Sequence, residues 1–363
     1  MLYRLLLISV CLLLLAGSAL ADNPNVKYVT VRSLSMGGAG ITTMHDFSAV
    51  MYNPAQLAKC DFHLDIVNIQ ARVGKDVIDL FDFFEENEET FDNFEDATLA
   101  EQNKLLDDLA PFDDKWIGFG GYPTIGMSTR NLAIGFYAAA DVDVKTDKGV
   151  FDPRAYLHGV GDYVFTAGYA FEMPEVTRLG FFNNNFYGGV GFKYITRYYV
   201  EELRLSASEI EFDDVYDTLI TSKETGFGID LGLVYDLIPE KVSLGLMVND
   251  VIANLGDEKP ATIFNVGASW QLSKSLLFAA DYNDFFFHRG ENIFNKLNLG
   301  AEYALAEILF LRGGIGQGYP SFGLGLNFGN VFVIDGAVYG IEKSNSPGGE
   351  GSYNYAIRLK LGI

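Results

Sequence analysis

The chain ends in Ser352-Tyr353-Asn354-Tyr355-Ala356-Ile357-Arg358-Leu359-Lys360-Leu361-Gly362-Ile363, and this stretch decides the fold. Every second residue is large and apolar, whereas the residues between them are polar, charged or small. Successive side chains of a β-strand point to opposite faces of the sheet. The stretch therefore predicts a strand with one apolar face and one face that carries Arg358 and Lys360.

The same alternation recurs through most of the chain, for example in residues 225–237 and 295–305. Segments of about ten alternating residues, separated by turn residues, are typical of membrane-spanning β-barrels. We therefore predict an all-β fold, a transmembrane antiparallel β-barrel of about 14 strands. The candidate strands are 62–73, 116–128, 131–145, 160–172, 186–200, 224–236, 241–251, 262–272, 275–286, 295–305, 308–317, 320–328, 331–341 and 353–363.

The first residues are typical of a secretory signal peptide, which we predict to span residues 1–21. Arg4 supplies the positive charge, Leu5–Leu15 the apolar core and Ala19-Leu20-Ala21 the cleavage site. The alternative is an uncleaved anchor, but the apolar run is shorter than the roughly 20 residues that a spanning helix needs. An exported chain that spans a membrane without such helices must do so as a closed barrel. The predicted location is the bacterial outer membrane, with its lipid as a partner.

Residues 22–60 are expected to form a compact arm, and residues 61–363 the barrel. The arm contains Met36-Gly37-Gly38-Ala39-Gly40 and a short helix that Asn53 caps and Pro54 begins. The barrel is interrupted at about 76–110, where apolar residues recur at helical spacing and Thr98 with Glu101 forms a capping box. We expect this acidic helical insertion inside the lumen or across one end of the barrel. Its run of carboxylates, residues 85–89, is interpreted as a solvated face in preference to a calcium site.

The strand alternation also assigns inward-facing residues. Glycines in the Gly-X-Gly runs at Gly226/Gly228 and Gly323/Gly325 are expected to let a plug or a neighbouring backbone approach the wall. Aromatic residues near strand ends are predicted to contact the membrane interface: Tyr198, Tyr199, Trp270 and Tyr339. Polar residues expected to face the lumen are Asp230, Asn265, Gln271, Asp281 and Arg358.

Composition and motifs limit the chemistry. The formal net charge of −22 argues against binding to nucleic acid. Signal cleavage would leave Cys60 as the only cysteine, without a disulfide partner. No Gly-X-Ser-X-Gly elbow and no His-Glu-X-X-His zinc motif occurs, and the four histidines show no ligand spacing. His288, beside Asp284 and Arg289, is the one residue placed like a barrel-rim catalyst, but solvated loop polarity explains it better. We predict no enzyme activity, no cofactor and no metal.

Residues 32–58 resemble the N-terminal region of the long-chain fatty-acid transporter (FadL) superfamily of outer-membrane barrels. The resemblance rests on Arg32-Ser33-Leu34-Ser35-Met36-Gly37-Gly38-Ala39-Gly40, Asp46, Ala49 and Asn53-Pro54-Ala55. The C-terminal half, with 226–235, 244–250, 277–282 and 297–303, is similar to the TraF-like branch associated with conjugal transfer, and PorV-type secretion barrels belong to the same superfamily.

The resemblance implies a fourteen-stranded barrel with the N-terminal arm folded inside as a hatch. Gly37, Gly38, Gly40, Asn53 and Pro54 would then belong to this hatch. In the fatty-acid transporters the hatch gates hydrophobic molecules, which leave sideways through the wall. This chain departs from them in its insertion at 76–110 and in lacking an evident basic pair in the hatch that would hold a carboxylate.

Two functions remain open from the sequence. The first, which we favour, is a hatch-gated passive channel for small hydrophobic molecules. Its lumen would be acidic overall and would disfavour anions. The second is a non-transporting platform that binds proteins of a secretion or conjugal-transfer assembly. An apolar path with a wall opening beside the hatch would favour the channel, and a lumen packed shut would favour the platform.

Overall fold

The computed structural model describes residues 28–87, 90, 97–113, 115–147, 154–173, 185–206, 222–286, 292–342 and 351–363. The predicted signal peptide, His288 and part of the acidic run at 85–89 lie outside these residues. Within them, no helix is both long enough and apolar enough to cross a membrane.

The described residues form one closed antiparallel barrel. Apart from β2 and β3, each strand pairs with the next along the chain, and the last strand pairs with the first, from Asp65 opposite Gly362 to Gly74 opposite Asn354. The strands are β1 His63–Gly74, β2 Trp116–Gly121, β3 Thr124–Thr129, β4 Leu132–Asp147, β5 Arg154–Glu172, β6 Phe186–Ser206, β7 Ser222–Ile238, β8 Val242–Leu255, β9 Ile263–Ser273, β10 Leu276–Tyr282, β11 Leu297–Leu305, β12 Leu309–Gly316, β13 Tyr319–Phe328, β14 Phe332–Glu342 and β15 Gly351–Gly362.

The barrel has fourteen strand positions, because β2 and β3 share one of them. Both strands pair with β1 on one side and with β4 on the other. The fold prediction is thus confirmed, but the single strand expected at 116–128 is interrupted at Tyr122 and Pro123. Proline has no backbone N–H and cannot donate to the ladder, which accounts for the interruption.

The barrel is apolar outside and polar inside. In β15 the side chains of Tyr355, Ile357 and Leu359 are about half exposed, whereas Arg358 and Lys360 between them are buried. Water-soluble proteins show the opposite arrangement. A continuous exposed belt of this kind indicates contact with lipid.

The two ends of the barrel differ in their links. One end, here the short-turn end, holds the tight connections 130–131, 239–241, 274–275, 306–308 and 329–331. The other end, the loop end, holds the link from β1 to β2, which contains helices α3 and α4. Helices α1 and α2 precede β1. The helices are α1 Val31–Ser35, α2 Ala49–Tyr52, α3 Val77–Glu86 and α4 Leu99–Leu109, with 3-10 helices Pro54–Lys59, Ala110–Phe112 and Ile293–Lys296.

The insertion packs on the outer face of the wall. Thr98 and Glu101 form the predicted capping box at the start of α4. Val77, Leu80, Phe83, Leu105, Leu109 and Phe112 cluster with Val73, Ile117 and Val144. These three wall residues alternate with the inward-facing Arg72, Gly118 and Asp143, so they point outwards. The insertion therefore does not enter the lumen, because the apolar stripes of its helices match the apolar outer face of the strands.

Candidate functional site

Residues 28–60, here the luminal segment, run through the inside of the barrel. Helix α1 contacts β12, β13, β14 and β15, while the 3-10 helix Pro54–Lys59 contacts β4, β5, β6 and β7. Between them, Gly40 and Ile41 bond to Asp281 on β10. A segment that touches opposite sides of a closed wall can do so only from within the lumen.

Gly37 and Gly38 end helix α1. Both have positive φ angles, +67° and +94°, which suit glycine. The amide of Gly38 donates to the Ser33 carbonyl at 2.7 Å, and that of Gly37 to the Leu34 carbonyl at 3.2 Å, the pattern of a Schellman cap. The Gly37 amide also lies 2.9 Å from Ser321 Oγ on β13. These glycines turn the segment where it meets the wall.

Gly40 and Asp281 meet directly. The amides of Gly40 and Ile41 donate to Asp281 Oδ2 at 2.6 and 2.9 Å, and Asp281 is buried. Two consecutive backbone amides of the segment thus share one side-chain oxygen of the wall. Asp281 is therefore an attachment point for the middle of the luminal segment.

Asn53 and Pro54 lie against the opposite side. Asn53 Oδ1 accepts from the Ala55 amide at 3.1 Å and caps the 3-10 helix that Pro54 begins. Asn53 Nδ2 donates to the Leu233 carbonyl at 3.2 Å and to the Leu246 carbonyl at 3.4 Å. One side chain thus caps its own helix and ties it to β7 and β8.

Glycines on the wall make room for the segment. A Cβ atom added at many of the wall glycines would come within 3.0 Å of luminal-segment atoms, among them Gly189, Gly232, Gly300, Gly314 and Gly323. At Gly228 and Gly325 an added Cβ would instead meet side chains of buried ion pairs, and at Gly226 the backbone of β8. The inward glycines therefore serve close approach, either by the segment, by a neighbouring strand or by bulky charged pairs.

The inner wall is lined with ion pairs. Lys193 Nζ lies 3.1 Å from Asp230 and 2.7 Å from Asp250, and all three residues are buried. Arg197 binds both carboxylate oxygens of Asp162 at 2.6 Å. Asp230 lies inside the barrel as its position in the alternating pattern predicts, and the same alternation places Lys193 and Arg197 inwards, although neither was expected as a luminal residue.

Asn265 and Gln271 differ in their surroundings. Asn265 is buried, donates to Asn249 Oδ1 at 2.7 Å and accepts from the Asp284 amide at 2.9 Å. Gln271 lies at the end of β9, is only half-buried and donates to the Ser273 carbonyl at 2.7 Å. Gln271 is therefore at the mouth of the lumen, not among the packed residues.

Six charged residues form a continuous chain of contacts, here the charge chain: Arg32, Glu302, Arg312, Asp335, Arg358 and Asp46. Arg32 donates twice to Glu302, both at 2.8 Å. Arg312 donates to Glu302 at 2.7 Å and to Asp335 at 2.6 Å. Arg358 lies 3.4 Å from Asp335 and 3.8 Å from Asp46. Arg32 and Asp46 belong to the luminal segment, so the arm does carry a half-buried cation that sequence reasoning missed.

Two titratable groups of the luminal segment have shifted pKa values. Burial opposes ionisation of Asp46, but the cations of Lys360 and Arg358 outweigh it and hold its pKa well below the ordinary value. Burial, followed by the charges of Asp46 and Asp61, raises the pKa of the Cys60 thiol. Asp46 is thus an anion and Cys60 a poorly reactive thiol near neutral pH.

An apolar cluster lies inside the wall at the interruption between β2 and β3. It consists of Tyr122, Tyr137, Ala139, Val164, Ile195 and Leu255, with Tyr28, Val29 and Met51 of the luminal segment packed against it. At the interruption itself, the Tyr122 amide donates to the Gln70 carbonyl at 2.7 Å, and Pro123 only accepts, from the Ala138 amide at 3.0 Å. The wall is therefore weakened beside an apolar surface.

The aromatic assignments need one correction. Tyr339 is buried and packs against Val31 of the luminal segment, so it faces the lumen and not the membrane. Trp270 is 49% exposed on the outer face, as expected of an interfacial residue. Tyr339 was misassigned because its position near a strand end does not reveal which face it occupies.

No protein-family model matches the chain, and no curated protein matches it. Among solved structures, the chain is similar to the Pseudomonas putida toluene transporter TodX, with a TM-score of 0.53 and 12% identity, covering 93% of this chain and 98% of that one. It also aligns with the CymD monoaromatic hydrocarbon channel (TM-score 0.47, 13% identity, 91% and 95% covered) and with a Pseudomonas aeruginosa FadL homologue (TM-score 0.46, 12% identity, 94% and 99% covered). The similarity to TodX shows that the chain has the barrel fold of that transporter.

Proposed function

We propose that this protein is an outer-membrane channel for small hydrophobic molecules and that the luminal segment is its hatch. The proposal implies an exported chain with a cleaved signal peptide, and an outer belt in contact with lipid. The structurally similar TodX is a toluene transporter, and toluene is a small hydrophobic molecule of the class proposed here.

The apolar cluster behind the strand interruption carries the proposal. Much of the inner wall holds ion pairs such as Lys193–Asp230 and Arg197–Asp162, which a hydrophobic molecule would have to desolvate. At the interruption one ion pair, Arg72–Asp141, borders the apolar cluster and bonds to the Tyr122 hydroxyl. At Tyr122 and Pro123, apolar side chains line the lumen where the strand ladder lacks one donor. A hydrophobic molecule thus has its lowest-cost route towards the side of the barrel, where lipid surrounds the wall.

Repairing the interruption tests this route. Pro123→Thr supplies the missing backbone N–H and a residue that favours strands. We expect uptake of the neutral dye N-phenylnaphthylamine by intact cells producing this variant to fall severalfold relative to wild type. The matched control is Pro320→Thr, a proline within the uninterrupted strand β13, which should not change uptake.

The route is wrong if Pro123→Thr and wild type take up the dye equally. The channel itself is wrong if production of the wild-type protein does not increase uptake. Mass spectrometry of the gently purified protein distinguishes the channel from the platform. A bound apolar molecule supports the channel, whereas a stoichiometric protein partner without such a molecule favours the platform.

A further inference from the structure

The charge chain connects two separate parts of the luminal segment through the wall. It begins at Arg32 in α1 and ends at Asp46, and its four middle members stand on β11, β12, β14 and β15. The Arg197–Asp162 pair and the Lys193 cluster join wall strands only, and Lys59–Asp236, which also ties the luminal segment to the wall, lies outside residues 32–46. The charge chain is therefore placed to hold the segment, not merely to stabilise the wall.

The two ends of the charge chain are accessible to ions: the side chains of Arg32 and Asp46 are 22% and 27% exposed, whereas the middle members are at most 10% exposed. All six members line one cavity of about 210 Å³, which His63, Asn327 and Asn330 also line. His63 begins β1, and Asn327 and Asn330 flank the turn after β13, so the cavity lies at the short-turn end. Salt screens charges that it can reach: the Debye length falls from about 10 Å at 0.1 M to about 3 Å at 1 M.

The two ends of the charge chain differ in strength. Arg32 makes a two-bonded pair with Glu302, and its third donor reaches the Thr43 carbonyl at 2.6 Å. Asp46 has no such two-bonded pair: it lies 3.8 Å from Arg358 and is also attracted by the charge of Lys360. Gly37 and Gly38, both with positive φ, lie between the two ends. The Asp46 end is thus the weaker attachment, on a backbone that contains a glycine turn.

We propose that the charge chain is an electrostatic clasp that keeps residues 32–46 seated in the barrel and opens, from the Asp46 end, when mobile ions screen it from the short-turn end. The clasp rests on the proposed role of the luminal segment as a hatch. It adds the means by which the hatch is held and the condition that loosens it.

Cys60 is a built-in reporter of the clasp. Its side chain is buried, with Sγ 3.8 Å from the Asp46 carbonyl and 3.6 Å from the Gln56 carbonyl. Movement of residues near Asp46 would expose the thiol to a water-soluble maleimide. With Cys11→Ser as the background, the labelling rate of the full-length protein in detergent therefore measures release without measuring transport.

The test compares two charge-neutral double variants. Arg32→Gln with Glu302→Gln removes the strong end of the clasp and leaves Arg312 paired with Asp335. Arg197→Gln with Asp162→Asn removes a buried pair that joins β5 to β6 only. Removing both partners of a pair avoids leaving a buried charge uncompensated.

We expect wild-type labelling to rise about tenfold between 0.1 M and 1 M sodium chloride, because the screening length shortens about threefold. The clasp variant should label fast at both concentrations, and the wall variant should behave as wild type. Equally slow labelling of the clasp variant and wild type at every salt concentration would overturn the proposal. Because dye uptake is measured separately, a failure of the clasp and a failure of the channel can be told apart.

Discussion

At the scale of single residues, the function of the inward glycines is steric. A Cβ atom added at Gly189 would meet the backbone of Pro54 and Ala55, both in the luminal segment. At Gly336 no atom lies within 4 Å of an added Cβ. Gly336 lies between the inward-facing Asp335 and Ala337 and points outwards, so the segment touches Gly189 and not Gly336.

Gly189→Ala should displace the luminal segment at a cost of about 1–3 kcal/mol, the usual range for overpacking. The rate of Cys60 labelling should rise accordingly, while the barrel remains folded by its mobility on a heat-modifiability gel. Gly336→Ala is the control. It should change the stability by no more than about 0.5 kcal/mol and leave the labelling rate near that of wild type. Equal rates for the two variants would show that the segment does not depend on close contact with β6.

The depressed pKa of Asp46 predicts that attachment of the luminal segment does not depend on pH near neutrality. Since nearby cations depress its pKa, the stabilisation it contributes is complete above the ordinary carboxyl pKa of about 3.9 and is lost only as pH falls through the depressed value. Cys60 labelling, corrected with a free cysteine peptide, should therefore stay constant between about pH 8 and pH 5. Asp46→Asn should raise the rate of Cys60 labelling by a similar factor throughout this pH range. A steep rise of wild-type labelling at the acidic end would mean that another group controls release.

At the scale of elements, local signals could be predicted from the sequence and distant partners could not. The strands follow from alternation, and the Thr98 capping box and the Gly37–Gly38 turn follow from local residue types. Arg32 and Glu302 are 270 positions apart, and the residues around each of them give no indication that the two side chains pair. The same limit applies to the insertion: its helices are visible in the sequence, but the wall face on which they pack is not.

The cap at Asn53 offers a test of one element. Asn53→Ala with Pro54→Gly removes the cap, two bonds to β7 and β8, and the rigid first residue, which together should destabilise the segment by about 1–3 kcal/mol. Limited proteolysis of residues 28–60 should become faster while the barrel stays intact. Asn292→Ala, which removes a similar cap from the 3-10 helix Ile293–Lys296, is the control and should leave the segment protected. Unchanged protection in the Asn53 variant would count against its anchoring role.

The outer position of the insertion predicts independence from the lumen. Leu105 is fully buried against α3, so Leu105→Ala should cost about 2–5 kcal/mol locally. Protease cleavage within 76–112 should accelerate, and Cys60 labelling should not change. Leu99→Ala alters a side chain that is 78% exposed and should affect neither measurement. Faster Cys60 labelling in the Leu105 variant would show that the insertion supports the luminal segment.

At the scale of the whole molecule, the barrel contacts two environments: lipid at the outer face of the wall and water at the two ends of the lumen. Trp270 and Gln271 are neighbours in the chain but lie on opposite faces of β9. A bimane label at Trp270→Cys, in a Cys60→Ser background, should be quenched by brominated lipids in proteoliposomes. The same label at Gln271→Cys should be quenched by aqueous iodide instead. Lipid quenching at both sites, or at neither, would contradict this arrangement.

Closure of the wall through β1 and β15 sets an order of assembly. The strand that decides the fold follows all the other described strands in the chain, and its partner β1 precedes them, so their pairing closes a longer loop than any other described strand pair. Helix α1, made earlier still, contacts β12 to β15 and has no completed surface to bind until they exist. The luminal segment therefore stays undocked while the sheet is still open, and it becomes enclosed when the sheet closes into the barrel. Late pairing of this kind makes folding slow, and until it is complete both edges of the sheet stay open to other chains.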